Sequence, residues 1–229
     1  NLKLLAFLLN RLILAPHIDT CDEINEIMMA NVPGQVREYL SSDKPLDERP
    51  LDIDEIESEV AALNRRTDSG MPPHRLRLKV GSVVVLLINK SDKEGLINGT
   101  RIVLEELGDD RLVGRVINSN AVGGQVKLNE HAMSTRTKRL AIKYERLQFP
   151  IKPAFAMTIL KGQGQTISTV GIDLERDVFS HGQLYTAFSR ATDGNNVRVR
   201  SQKGDRCTRQ SQSAEYCCNE NAQFAIKQT

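Results

Sequence analysis

Lys161-Gly162-Gln163-Gly164-Gln165-Thr166 is the stretch of this 229-residue chain best suited to hold a polar or anionic ligand. Lys161, Gln163, Gln165 and Thr166 offer N–H and O–H donors. The two glycines let the main chain approach a ligand closely because they carry no Cβ. The apolar run AFAMTIL leads into it from Ala154. That pattern predicts a helix with Pro153 near its first turn, and a plain helix end followed by a turn would look the same. A second group of candidates lies downstream. At about 100° per residue, Gln183, Thr186 and Arg190 share one flank of a predicted helix. Leu184, Ala187, Phe188 and Ala191 form its core stripe.

Several other chemistries have no basis in the sequence. It contains no G-x-x-x-x-G-K-[ST] phosphate loop, no G-x-S-x-G and no HExxH. Asp22-Glu23, Asp47-Glu48 and Asp54-Glu55 do not end an apolar strand, so no acidic pair is placed to hold Mg²⁺. His17, His74, His131 and His181 are scattered. Cys21, Cys207, Cys217 and Cys218 lack zinc-site spacing. They read as reduced, structural or incidental thiols, which suits an intracellular compartment.

The elements that must position the candidates follow from hydrophobic period. Arg11–Ala15 (RLILA), stopped by Pro16, predicts a buried strand. Upstream, Leu2–Ala15 is too short to span a bilayer and is interrupted by Lys3, Asn10 and Arg11, so it predicts a helix end running into that strand. The chain starts at Asn1 rather than Met, which suggests a segment of a longer protein. Thr20-x-x-Glu23 fits a capping box for a helix from Cys21 to Asn31 with Ile24, Ile27 and Met28 inward. A strand followed by a helix is half of a βαβ unit, whose ligands sit at the carboxyl ends of strands. Residues 38–69 read as an acidic connection with one short helix, Asp54–Leu63. From Pro72 the texture becomes β. Val80–Ile88, Arg101–Leu107, Arg111–Ile117, Gln125–Leu128 and Arg139–Phe149 are predicted strands, with a tight turn at Asn98-Gly99, and suggest a small barrel. Ser168–Leu174 and Asn196–Arg200 are strands of a second α/β stretch, and Ser180-x-x-Gln183 is a second capping box. Residues 201–229 carry too little apolar content for a core and read as a disordered tail.

Charge distribution adds a weak pointer. Asp43–Asp68 holds nine acidic and four basic residues, whereas Pro72–Phe149 holds fourteen basic and eight acidic, including Arg75, Arg77, Arg136, Lys138 and Arg139. Such a basic block suits a polyanion partner. Aromatic residues are 4% of the chain and Trp is absent, so a nucleic-acid grip would rely little on stacking.

Three blocks, taken in order, resemble a known family. They are RLILAP with DEIN (Arg11–Pro16, Asp22–Asn25), GMPPHRLRLKVG with NGTR (Gly70–Gly81, Asn98–Arg101), and AFAMTILKGQGQT with FSHGQLYTAFSR (Ala154–Thr166, Phe179–Arg190). The sequence resembles the C-terminal half of a Pif-type (petite integration frequency) helicase, a superfamily-one ATP-dependent DNA helicase, or the similar helicase of rolling-circle transposons. The resemblance implies an α/β fold: a second RecA-like, P-loop-type domain interrupted by a small all-β barrel of the Src-homology-three type, called 2B. The RecA-like parts would be 1–45 and 149–200, the acidic connection 46–71, and the barrel 72–148. It implies 5′-to-3′ translocation on single-stranded DNA and unwinding of forked duplex DNA in genome maintenance, within the nucleus or mitochondrion and away from membranes. ATP and Mg²⁺ would be held mainly by an N-terminal RecA-like domain that the chain lacks, so the chain alone would not hydrolyse ATP.

The resemblance also implies roles. Arg190 matches an arginine finger, Thr158 a contact to the DNA backbone, and Lys161 an element of the same DNA-side turn. Gln163, Gly164 and Gln183 would sense the nucleotide. His74, Arg75 and Arg101 would be structural or auxiliary, and Tyr185 a packing residue. The chain departs from the family where Leu160 replaces Asn, Gly162 replaces Ser, His17-Ile18 replaces Thr-Asn, and Phe188 replaces Leu. Two other readings stay open: a truncated single-strand-binding module, and a transposon-type remnant without catalysis.

Overall fold

The computed structural model describes residues 11–46, 53–66, 68–91, 95–117, 124–135 and 143–201, with the backbone alone at 53–57. Arg136, Lys138 and Arg139, the predicted helix end before Arg11, and the tail with Cys207, Cys217 and Cys218 lie outside them. In chain order the elements are β1 (Arg11–Ala15), α1 (Ile18–Asn31), β2 (Arg37–Leu40), β3 (Ser42–Pro45), α2 (Ile53–Asn64), β4 (Arg75–Leu78) and β5 (Val83–Leu86). Then come β6 (Arg101–Leu107), β7 (Arg111–Val116), β8 (Gln125–Asn129), β9 (His131–Ser134), β10 (Tyr144–Gln148) and β11 (Ile151–Pro153). The last are β12 (Ala156–Thr158), β13 (Thr169–Leu174), α3 (Gln183–Phe188) and β14 (Val197–Ser201). They form a mixed, sheet-rich α/β structure in two compact units, one holding the described residues of 11–31 and 154–201 and the other those of 32–153. No described helix is long and apolar enough to cross a membrane.

The first unit is built on a four-stranded sheet, ordered β12-β1-β13-β14, in which every pairing is parallel. β1 is central, and Leu12, Leu14 and Ala15 are at most 2% exposed, as an apolar run between two neighbours requires. Ala15 pairs with Thr158, and Leu14 with Ile172, so the carboxyl ends of β1, β12 and β13 lie along one edge. α1 packs on β12 through Cys21 and the half-buried Ile24, which join Ala15 and Ala156 in one apolar cluster.

Two predicted details of α1 change. The helix opens at Ile18, where the His17 carbonyl accepts from Cys21 N–H at 3.2 Å, so Thr20 lies buried inside the first turn and caps nothing. Its inward face carries Cys21, Asn25 and Met29, and Ile27 is 52% exposed. The helix is rotated so that Asn25 meets β12.

The predicted helix at Ala154 is corrected outright. Residues 151–153 and 156–158 are strands, and the polar stretch after them is a series of turns. The reason is tertiary: β12 pairs with β1, a partner more than 140 residues away, and a three-residue apolar run carries no period that could separate strand from helix.

The second unit is antiparallel. β11-β5-β6-β7-β8 form a five-stranded sheet, β3-β10-β9 a three-stranded one, and β2-β4 a pair. Leu76, Leu86, Ile102, Leu112 and Phe149, among others, form one buried core. The Asn98-Gly99 turn forms as predicted. Gly99, at φ 96°, donates to Leu86 O at 2.9 Å, and the Asn98 amide donates to Leu87 O. Residues 37–45, expected with the first α/β part, pair here instead: β2 with β4, and β3 with β10. The acidic connection is likewise packed in this unit. Leu63 of α2 is fully buried with Met71 and Tyr144.

Candidate functional site

Thr158 ends β12 at the carboxyl edge of the parallel sheet, the edge where ligands of such sheets bind. Its Oγ1 accepts from Lys161 N–H at 3.4 Å and its carbonyl accepts from Gly162 N–H at 3.0 Å. Ile159 N–H continues the pairing onto Ala15 O at 3.1 Å. A threonine, a tight turn and an exposed lysine thus stand together at the strand end.

The turn is tied down from below. Gly162 is buried, and a Cβ built on it would come within 2.8 Å of Leu14 Cδ2. Gly164 has φ +82°, a conformation that side-chain-bearing residues rarely adopt, and the space beside it is open. Gln163 is exposed.

From this edge the segment 159–166 returns to the opposite, amino-terminal edge of β13, and there it meets Arg190. Arg190 Nη1 donates to Gln165 O at 3.5 Å, Nε to Thr186 O at 3.0 Å, and Nη2 to Ser189 Oγ at 3.0 Å. The main chains close a second link. Ile167 N–H donates to Arg190 O at 3.0 Å and Thr192 N–H to Ile167 O at 3.3 Å. The described partners of this guanidinium are carbonyls and a hydroxyl, so among the described residues its positive charge is held in place with no carboxylate against it. That arrangement can meet negative charge on a ligand.

Gln183 does not join Arg190. It is 3% exposed and shares the inward face of α3 with Ala187. Its Oε1 accepts from Phe179 N–H at 3.3 Å, and its Nε2 has no hydrogen-bond partner among the described residues. The predicted Ser180 cap is also replaced. Gly182 takes the N-cap position, with no side-chain bond. Because α3 stops at Phe188, a helical projection from 183 to 190 overruns the real helix. Tyr185, expected to pack, is 66% exposed.

Three features add contacts and exposures that the sequence does not supply, although it singles out Leu160 and His17 as departures from the family it resembles. The Asn25 amide donates to Ala156 O at 3.0 Å and accepts from Ala156 N–H at 2.9 Å, fixing β12 two residues before Thr158. The rings of His17 and Phe179 lie 5.1 Å apart at the carboxyl edge. Leu160, beside the turn, is 59% exposed. Asn25 lies in a block quoted for its resemblance, but an Asn within a helix gives no local signal of a long-range partner.

In the second unit, His74 Nδ1 is 2.8 Å from Ser41 Oγ, which donates to Asp43. Arg75 pairs loosely with Glu38 at 3.7 Å. Arg101 is 3% exposed, and burial lowers its guanidinium to about 10. Among the described residues no group of three or more His, Cys, Asp or Glu could hold a metal ion. Arg190 and the open side of Gly164 offer contacts to an anion, not a cradle around one.

The profile described as "DNA helicase Pif1, 2B domain" matches residues 62–107. An ATP-dependent DNA helicase PIF1 of Danio rerio is 33% identical over 188 residues, covering 81% of this chain and 26% of that protein. An ATP-dependent DNA helicase Pif1 of Campylobacter jejuni is 27% identical over 189 residues, covering 80% of this chain and 40% of that protein. A solved structure of two coordinating Pif1 helicases, described as unwinding DNA at forked duplexes, aligns with a TM-score of 0.60 at 25% identity, covering 83% of this chain and 39% of that one. The chain therefore spans between a quarter and two-fifths of the length of these relatives.

Proposed function

We propose that this chain, a relative of the Pif1 DNA helicases, is the C-terminal motor half of an ATP-dependent 5′-to-3′ DNA helicase. On this reading the first unit is the second RecA-like domain, and the second unit carries the 2B barrel of Src-homology-three type. Single-stranded DNA and forked duplexes are the substrates, and an N-terminal RecA-like domain is the partner. The place of work is the nucleus or mitochondrion.

Each residue has a task. Thr158 and Lys161 contact the phosphate backbone, which suits a hydroxyl and an ammonium at a strand end and carries no sequence information. Gln163 and Gly164 face the nucleotide side of the turn. Arg190 is the arginine finger, a fixed guanidinium where negative charge spreads during phosphoryl transfer. Gln183, buried at the far end of α3 from Arg190, acts on the nucleotide only indirectly. When bound, ATP with Mg²⁺ supplies the transferable phosphoryl group, and the partner domain holds it.

One observation carries the reading. Segment 159–166 starts at Thr158 on one edge of the sheet and ends hydrogen-bonded to Arg190 at the other. A single short piece of chain therefore links a strand contact to a phosphate contact, which is what coupling of grip to hydrolysis requires.

The test is a chimaera in which this chain replaces the matching segment of the Danio rerio relative. DNA-stimulated ATP hydrolysis should persist, and Arg190→Ala should lower kcat by about 10³-fold or more. Thr158→Ala should weaken binding of single-stranded oligonucleotides. A chimaera that binds DNA without hydrolysing ATP would make the chain a binding module instead.

A further inference from the structure

Phe179 is misplaced for an apolar ring. Phe149 is fully buried and Phe155 is 4% exposed, yet Phe179 is 62% exposed. It is nonetheless held in position. Its ring lies 5.1 Å from that of His17 at an interplanar angle of 44°. His17 Nε2 donates to Asp177 O at 3.1 Å, and Phe179 N–H donates to Gln183 Oε1 at 3.3 Å. Hydrogen bonds on both sides thus set two rings against each other, while the phenyl stays mostly exposed. A ring exposed by accident would have no such supports.

Its location identifies the occupant. Ala15 is the register partner of Thr158, and His17 follows two residues later, so the ring pair sits on the same sheet edge as the Thr158 turn. Leu160, 59% exposed, extends the apolar surface from the turn itself. Two carboxylates lie two residues from the rings, Asp19 after His17 and Asp177 before Phe179; Arg176 pairs with Asp19 at 3.3 Å, which offsets the repulsion of a polyanion there. A strand whose phosphates lie on Thr158 and Lys161 presents its bases to one side. Every base has an apolar π-face that stacks on an aromatic ring.

We propose that the His17–Phe179 ring pair is a stacking platform for one base of the single strand held at the Thr158 turn, with Gln183 as the residue that positions Phe179. This rests on the single-strand-binding reading above and adds a base contact to it. The low aromatic content of the chain limits stacking to few positions, and this is one that the structure builds.

The experiment measures fluorescence anisotropy of the 229-residue chain with a labelled oligothymidylate and with an abasic backbone of equal length, over a range of salt. Phe179→Ala should weaken oligothymidylate binding by about 5- to 100-fold, leave abasic binding unchanged, and leave the dependence of log Kd on log salt unaltered. Phe179→Trp should bind at least as tightly as the parent chain. Lys161→Ala should instead flatten the salt dependence and weaken both ligands alike. Equal effects of Phe179→Ala on both ligands, or none on either, would overturn the platform while leaving the strand-binding reading in place; the latter result is also what a ring seated against another protein segment would give. Failure of the parent chain to bind either ligand at low salt would overturn both.

Discussion

The Asn25 side chain and the main chain of Ala156 exchange two hydrogen bonds, at 3.0 and 2.9 Å, across 131 residues of sequence. β12 is an edge strand, so one row of its peptide groups lacks a ladder partner. Asn25 takes the place of that partner with a side-chain amide, which offers one donor and one acceptor at a peptide-like spacing. Asn25→Ala leaves both groups of Ala156 buried and unpaired, at about 1–3 kcal/mol each. The midpoint of urea unfolding should fall accordingly. Asn25→Asp should be worse at neutral pH than near pH 4, because a carboxylate would face the Ala156 carbonyl where the amide donated. Equal stability of Asn25→Ala and the parent chain would remove Asn25 from this role.

The same pair explains what was legible in the sequence. β1 and β6 could be bounded to the residue, because an apolar run against Pro16 and an alternating run after a tight turn are local signals. β12 could not, since its strand character comes from β1 and Asn25, both distant. The inward face of α1 was misread for the same reason: Asn25 faces in to meet Ala156, and Ile27 is left outside. Arg190 was singled out by type and block, but its ties to Gln165 and Thr186 are tertiary. Gly162, which the resemblance sets against a Ser, has a physical basis that sequence alone hides. A side chain there would run into Leu14, so the residue is matched to its neighbour rather than simply missing a hydroxyl.

Arg146 and Asp43 form a fully buried ion pair in the second unit, at 2.8 and 2.6 Å. The remaining guanidinium donors reach Leu63 O, Pro72 O and Arg66 O. One side chain therefore gathers the end of α2, the stretch before β4, β3 and β10. Arg146→Leu leaves a buried carboxylate without its partner, and should destabilise the chain by about 3–5 kcal/mol. The double replacement Arg146→Leu with Asp43→Leu should recover part of that loss, because no lone charge remains. A double variant no more stable than the single one would show that the carbonyl contacts, not the charge pair, dominate.

Stability should fall on acidification in two stages. Burial, with smaller charge effects, holds His74 below its ordinary 6.5. A group with a lowered folded value adds stability above its unfolded value and loses it as pH falls, so the first decline begins near pH 6.5 and flattens in His74→Asn. At Asp68, burial raises the carboxyl, but hydrogen bonds from Arg66 and Tyr144 outweigh it and leave a net depression below 3.8. Its contribution is lost at lower pH still, in the same direction. Tyr144 moves the other way at the alkaline end. Burial and the bond to Asp68 raise it to about 12, so its stabilisation is complete below pH 10 and disappears as pH climbs towards 12. Urea midpoints from about pH 2.5 to 11.5 check all three signs.

Gly162 and Gly164 should fail for different reasons, and a double-mutant cycle separates them. At Gly162 a methyl group would stand 2.8 Å from Leu14 Cδ2 in a filled interior. Gly162→Ala is then overpacking, with a cost of about 1–3 kcal/mol. Leu14→Val withdraws the clashing atom, so the two changes should couple, their combined loss falling short of the sum by at least about 0.5 kcal/mol. At Gly164 nothing lies within 4 Å, and the obstacle is the backbone itself at φ +82°. Gly164→Ala should cost about 1–2 kcal/mol through left-handed strain, and no change at Leu14 can relieve it, so that pair should be additive. The consequence for the turn differs as well. Overpacking pushes on the Thr158 end of the segment, whereas strain at Gly164 acts next to Gln165, the anchor of Arg190. Gly162→Ala should therefore weaken oligonucleotide binding more than Gly164→Ala does, and Leu14→Val should restore it in the first variant alone. Rescue of both variants by Leu14→Val, or of neither, would contradict this division of the segment.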